Sequence, residues 1–213
     1  MADKKKLILG IILFGSIWGG LEALGISIMR SFDFSFKSPF LAATGILILG
    51  AARMIIPRKG STFLMGLVAA AFKFLTLPQI LFCQVMAVAL QGAVMDLAFS
   101  YAENRKLSGW LSLGAVGALA MYLNYSLFSL VETYLVLNPF WVDRGFSGVL
   151  NYTFLEGTAA AILCFVFINF GFGLGRSLAP SFNHWQALKA RAYNIGAGAA
   201  ALGCWVLGFV LYR

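Results

Sequence analysis

The stretch from Ser61 to Tyr101 reads STFLMGLVAAAFKFLTLPQILFCQVMAVALQGAVMDLAFSY. Lys73 and Asp96 are its only charged residues, and the run is twice the ~20 apolar residues that a helix needs to cross a bilayer. Pro78 divides it, because proline lacks an amide donor and disfavours helix at the residue before it. The run therefore reads as a membrane hairpin, Ser61–Leu77 followed by Pro78–Tyr101. Working outward by the same criterion adds Leu7–Met29, Ser38–Ile56, Leu107–Leu137, Phe146–Gly175 and Tyr193–Tyr212. Seven candidate spans result. The third is short, and the fifth and sixth are longer than a bilayer requires, which predicts tilting, kinking or extension beyond the membrane.

Composition leads to the same class. Of 213 residues, 61% are hydrophobic and 11% charged, with a mean hydropathy of +0.86; soluble domains carry about 25% charged residues. Too little polar sequence is left to cover a globule, which excludes a water-soluble enzyme. The expected fold is an all-α, polytopic transmembrane helix bundle forming one integral membrane domain over residues 1–213. Within it, residues 7–175 make a six-helix core and residues 193–212 an additional C-terminal helix. The first apolar run is too long for a signal-peptide core and has no small-residue cleavage site before Arg30, so it reads as a helix of the bundle.

Basic residues orient the chain. With the N-terminus inside, the inner segments hold Lys4, Lys5, Lys6, Arg58, Lys59, Arg105, Lys106, Arg176, Lys189 and Arg191, and the outer segments hold Arg30, Lys37, Arg144 and Arg213. This positive-inside bias predicts a cell-membrane protein with a cytoplasmic N-terminus and the C-terminus outside. The net charge of +8 then reflects topology and contact with anionic lipid headgroups. Nucleic-acid binding would need a basic face on a polar module, and there is none.

Charges inside the spans carry the functional signal, because each costs roughly 2.5–3.5 kcal/mol at the bilayer centre unless it faces protein or water. Under this orientation Glu22, Lys73, Glu132 and Glu156 fall in the outward halves of their helices. Helical spacing gives each of them polar or small neighbours: Gly15, Trp18, Gly19 and Gly25 beside Glu22; Gly66 and Ala70 beside Lys73; Tyr122, Tyr125 and Ser129 beside Glu132; and Tyr152 beside Glu156. Gln84 and Gln91, seven residues apart, share a face of the fourth span. Two readings stand together. These faces line an outward-opening pocket for a small polar or zwitterionic ligand, with Glu22, Lys73, Gln84, Gln91, Tyr125, Glu132, Tyr152 and Glu156 as its ligand-binding residues. Alternatively, Lys73 neutralises Glu22 or Glu156 as a buried pair, or the charges form a proton or ion path. Asp96 and Arg53, toward the cytoplasm, read as interfacial charges near the inner headgroups.

No catalytic or metal-binding pattern accompanies them. Cys83, Cys164 and Cys204 are isolated and read as buried apolar residues, and the lone histidine, His184, belongs to no HExxH pattern. The glycines at 171, 173 and 175 close an apolar helix and follow no strand, so they are not a dinucleotide fingerprint. No Walker motif is present. No cofactor is expected.

The glycine-rich first helix, with Gly15-Ser-Ile-Trp-Gly-Gly-Leu-Glu22, follows a short basic N-terminus. Later a basic turn, Pro57-Arg-Lys-Gly60, opens a small-residue helix that reaches Lys73. Over residues 7–175 this arrangement resembles the substrate-binding S components of energy-coupling factor transporters. The resemblance implies a six-helix bundle that binds a vitamin-like micronutrient near the outer face. It also implies a transmembrane coupling subunit and cytoplasmic ATPases as partners, with Gly15 and Gly19 as partner-contact residues in place of the family's AxxxA; the GxxxG spacing by itself reads first as close helix packing within the chain. The seventh span departs from that pattern. Two other classes stand beside it: a membrane-embedded enzyme acting on a lipid or isoprenoid through the outer carboxylates, and a non-catalytic accessory subunit of a membrane complex.

Overall fold

The computed structural model describes residues 2–31, 36–77, 82–187 and 190–212. They form the helices α1 (Ala2–Ser31), α2 (Lys37–Ile55), α3 (Ser61–Thr76), α4 (Phe82–Asn104) and α5 (Trp110–Tyr134). The short α6 (Pro139–Val142) and α7 (Gly145–Asn151) follow, then a π turn (Tyr152–Glu156), α8 (Gly157–Ala187) and α9 (Ala190–Tyr212). There is no strand among the described residues. The chain is an all-α helical membrane bundle. Among the described residues six stretches are long and apolar enough to cross a membrane; α3, at 16 residues, is apolar but shorter. At 1.5 Å per residue α3 is about 24 Å long, against about 30 Å of hydrocarbon. The predicted division at Leu77-Pro78 agrees with the end of α3 at Thr76; residues 78–81 lie outside the described residues.

Helix α5 ends at Tyr134, earlier than the predicted Leu137. The chain turns there, with Leu137 at φ +56°, and α6 starts at Pro139 with the Asn138 side chain accepting from the Phe140 amide. The predicted sixth span is part of a continuous helical stretch of 38 residues, Gly145–Phe182, about 57 Å long. It exceeds the bilayer, as its length in the sequence implied.

Small residues set the packing. A Cβ at Gly171 would lie 2.6 Å from the Leu47 carbonyl oxygen, and one at Gly175 2.6 Å from that of Ala51. The glycines rejected as a nucleotide fingerprint are thus the seam that brings α8 against α2 backbone to backbone. Gly66 and Gly92 do the same for α3 and α4, where a Cβ on one would lie under 3 Å from the Cα of the other.

The Gly15–Gly19 face of α1 is occupied from within. A Cβ at Gly15 would sit 2.6 Å from Val68 Cβ, and one at Gly19 2.6 Å from Phe72 Cβ. Both glycines face α3, which corrects their expected role as contacts for a partner subunit: close backbone approach inside this chain uses the space they leave. The additional helix, α9, covers a different side of α1. Its Tyr193 hydroxyl donates to the Lys6 carbonyl (3.2 Å) and its Trp205 indole to Ser16 Oγ (3.0 Å), while Ile195, Leu202 and Val206 face outward.

Opposite to the placement of Glu22 and Lys73, the α2–α4 end holds a charge cluster. Arg53 is 1% exposed and donates to Glu103 Oε1 (2.6 Å) and Oε2 (2.7 Å), to Asp96 Oδ1 (3.1 Å) and to the Arg58 carbonyl (2.5 Å). Asp96 in turn accepts from the Gly60 amide (2.8 Å) and the Thr62 hydroxyl (2.6 Å). A carboxylate on α4 thereby caps the start of α3 and favours its dipole. Arg53, buried, and Asp96, 13% exposed, are thus bonded to each other within the chain.

Candidate functional site

Lys73 stands in the last turn of α3, whose C-terminal end meets the C-terminal third of α1. Its ammonium lies 3.1 Å from Glu22 Oε2, and both side chains are 4% exposed. It also donates to the Gln84 carbonyl at 3.4 Å. Of the pairings the sequence left open, the structure forms Lys73–Glu22.

This pair borders a cavity of about 700 Å³ at the end of the bundle where α1, α3 and α5 finish and α2 and α4 begin. Gln84 and Gln91 of α4 line it, as do Tyr125 of α5 and Tyr152 of the π turn. Gln91 is fixed by donating Nε2 to the Ala42 carbonyl at 2.8 Å. The Tyr125 and Tyr152 rings stack at 4.9 Å with 29° between planes, and Trp141 meets Tyr152 edge-on at 4.9 Å. Ser38 Oγ, at the start of α2, lies 2.8 Å from the Tyr125 hydroxyl and 3.3 Å from that of Tyr152. The lining thus combines aromatic rings with tethered hydroxyls, the ion pair and the amides.

Six of the eight expected ligand-binding residues line this cavity: Glu22, Lys73, Gln84, Gln91, Tyr125 and Tyr152. Glu132 and Glu156 do not. Glu132 is fully buried and accepts from Asn138 Nδ2 at 2.9 Å through Oε2, while its Oε1 has no partner among the described residues. It braces the cavity-lining Asn138 from behind. Glu156 lines a second cleft of about 670 Å³ with Asp143, Arg144 and Asn151, across the wall made by Phe140, Trp141 and Tyr152. The expected pocket of three carboxylates is corrected to one, Glu22. The reason lies in the π turn: its i→i+5 bonding takes more residues per turn. Glu156 consequently lags the position that 3.6-residue periodicity assigns to it relative to Tyr152.

Lining residues that were missed include Lys37, Asn124, Asn138 and Trp141. Asn124 had a signal, since it stands two turns before Glu132 on the same face of α5. Lys37 counted only as a loop charge. Asn138 and Trp141 belong to the short segment after α5, where no periodicity exists to read. Asn124 is 5% exposed and its Oδ1 has no partner among the described residues; the same holds for Gln84 Oε1. Buried polar groups normally find partners, so these two carboxamides are unmatched among the described residues.

No group of three or more His, Cys, Asp or Glu side chains with metal-site geometry occurs among the described residues. Cys83 borders the cavity as a free thiol, and Cys164 is buried against the core. What the arrangement can do is enclose a small molecule: its volume lies within the range of ligand sites, and its lining combines apolar walls with a few polar groups. The fold and cavity define the class as a helical membrane protein with a cavity at one end. Compared with known proteins, the chain matches no family model, no curated protein and no solved structure.

Proposed function

We propose that this chain is a substrate-binding membrane subunit for uptake of a small polar, vitamin-like micronutrient. It captures the ligand in the cavity between α1, α2, α4 and α5 and relies on partner subunits for energy. The observation that carries this reading is the cavity of about 700 Å³ lined by a buried ion pair and by stacked tyrosines. Its volume and its combination of apolar walls with a few polar groups are those of a small-molecule site. The distribution of basic residues supports a cytoplasmic N-terminus in the cell membrane, with the cavity opening outward and the Arg53 cluster inward. The resemblance to energy-coupling factor S components supports a coupling subunit and cytoplasmic ATPases as the energy source. Such a subunit would dock elsewhere than on Gly15 and Gly19, which α3 covers.

Mass spectrometry of compounds retained by the protein after gentle purification in lipid nanodiscs tests the reading. A stoichiometric water-soluble small molecule, together with co-purification of a membrane subunit and ATPases, is the expected result. Turnover of an added lipid or isoprenoid by the isolated chain would replace uptake with membrane enzymology. An empty protein tightly bound to one large partner would make it an accessory subunit.

A further inference from the structure

The cavity lining selects the charge of its ligand as well as its size. Three described charged side chains line it. Glu22 and Lys73 neutralise each other at 3.1 Å. The third, Lys37, is half-buried and forms no ion pair with any described residue. It is the first residue of α2, whose opening turn has neither a side-chain cap nor an acidic residue. The start of a helix carries partial positive charge; Pro39 has no amide and that of Phe40 is bonded to the Phe36 carbonyl, so Lys37 is reinforced by the helix dipole and by the Lys37 and Ser38 amides. The one carboxylate among the described lining residues, Glu22, is already bonded to Lys73, so Lys37 leaves that described lining with an excess of one positive charge. Glu132 is turned toward Asn138 and is not part of the lining.

An independent observation concerns the other end of the ligand. Asn124 is 5% exposed, lines the cavity and has an unpartnered amide oxygen among the described residues; Gln84 Oε1 is unpartnered too. A carboxamide can present either its oxygen or its nitrogen after a flip, so both residues suit a partner edge bearing donors and acceptors. The same lining carries the rings of Tyr125, Tyr152 and Trp141 in contact with one another, which favours a planar, polarisable body.

We propose that the ligand is a planar ring compound with an amide-like hydrogen-bonding edge and an anionic substituent, the anion held at Lys37 and the first turn of α2 and the ring against Tyr125 and Tyr152. This inference rests on the cavity being a binding site and adds the class of molecule bound.

The test uses the full chain in nanodiscs. Retained compounds are identified by mass spectrometry, and two matched triplets are titrated while melting is followed: nicotinate, nicotinamide and 3-picolylamine; indole-3-acetate, indole-3-acetamide and tryptamine. The expected result is a retained ring acid. Any probe binding should follow the order carboxylate, then amide, then amine, with at least tenfold between the ends. Lys37→Gln should abolish that order while leaving the melting temperature of the empty protein unchanged. A retained cation or neutral compound, an order headed by the amines, or binding indifferent to Lys37→Gln would each overturn the anion assignment and leave the cavity a binding site. A retained anionic phospholipid would overturn the ring assignment. No retained compound and no probe binding would instead refute the binding cavity itself.

Discussion

Replacing Lys73 by methionine isolates the energetic role of the buried pair. Methionine keeps most of the side-chain volume, so the main change is loss of the ammonium 3.1 Å from Glu22. With both side chains 4% exposed, Glu22 would be left as an uncompensated charge, a change that costs about 3–5 kcal/mol in buried pairs. The cavity beside the pair gives Glu22 some access to water, which favours the lower end, about 3 kcal/mol. For a chain of this length each kcal/mol moves the melting temperature by about 2–4 °C. A fall of roughly 6–12 °C follows. Adding Glu22→Gln to Lys73→Met removes the orphaned charge, so the double variant should recover at least half of the loss. Thermal unfolding of the wild type, both single variants and the double variant in one nanodisc preparation completes the cycle. If Lys73→Met melts within about 3 °C of the wild type, or the double variant melts no higher than the single, the pair does not carry that energy.

Three further outcomes follow from the same geometry. Gly19→Leu forces a side chain into a position where even its Cβ would lie 2.6 Å from Phe72 Cβ, so it should lower stability by about 1–3 kcal/mol or prevent folding; a wild-type melting curve would show that α1 and α3 do not meet there. Arg53→Met leaves Asp96 and Glu103 facing each other without their shared cation and should cost about 3 kcal/mol or more. Ligand affinity, measured on the surviving folded fraction, should stay unchanged because the cluster is remote from the cavity. In intact cells, a cysteine at Arg144 should react with an impermeant maleimide and one at Lys59 only after permeabilisation; the reverse pattern would invert the orientation drawn from basic residues.

Much of the bundle was legible before any coordinates. The apolar runs are set one helix at a time, and the break at Pro78 depends on an absent amide hydrogen and a local clash. Intramembrane charges were also readable as belonging together, since each must escape lipid. Their grouping was not. Glu156 has the same depth as Glu22 and the same four-residue spacing from Tyr152 that put Tyr125 and Ser129 on one face, yet a π turn carries it into another cleft. Gly15 and Gly19 were legible as a site of close approach, but spacing does not tell a helix of the same chain from one of another.

By itself the sequence determined that this chain is an integral helical membrane protein, where its helices run, and which charged and amide residues demand a protein or water environment. Those properties follow from hydropathy, backbone donors and desolvation, and each acts within one helix. Tertiary structure alone decided that Lys73 pairs with Glu22, that Glu132 is turned to Asn138, and that Asn124, Lys37 and Trp141 complete the cavity. It likewise decided that the Gly15–Gly19 seam belongs to α3. These outcomes depend on the rotation of one helix against another, which is set by contacts such as Gly171 on Leu47 and Gly66 on Gly92. Such contacts join residues far apart in the chain, and the 3.6-residue period of a single helix carries no record of which neighbour its faces will meet.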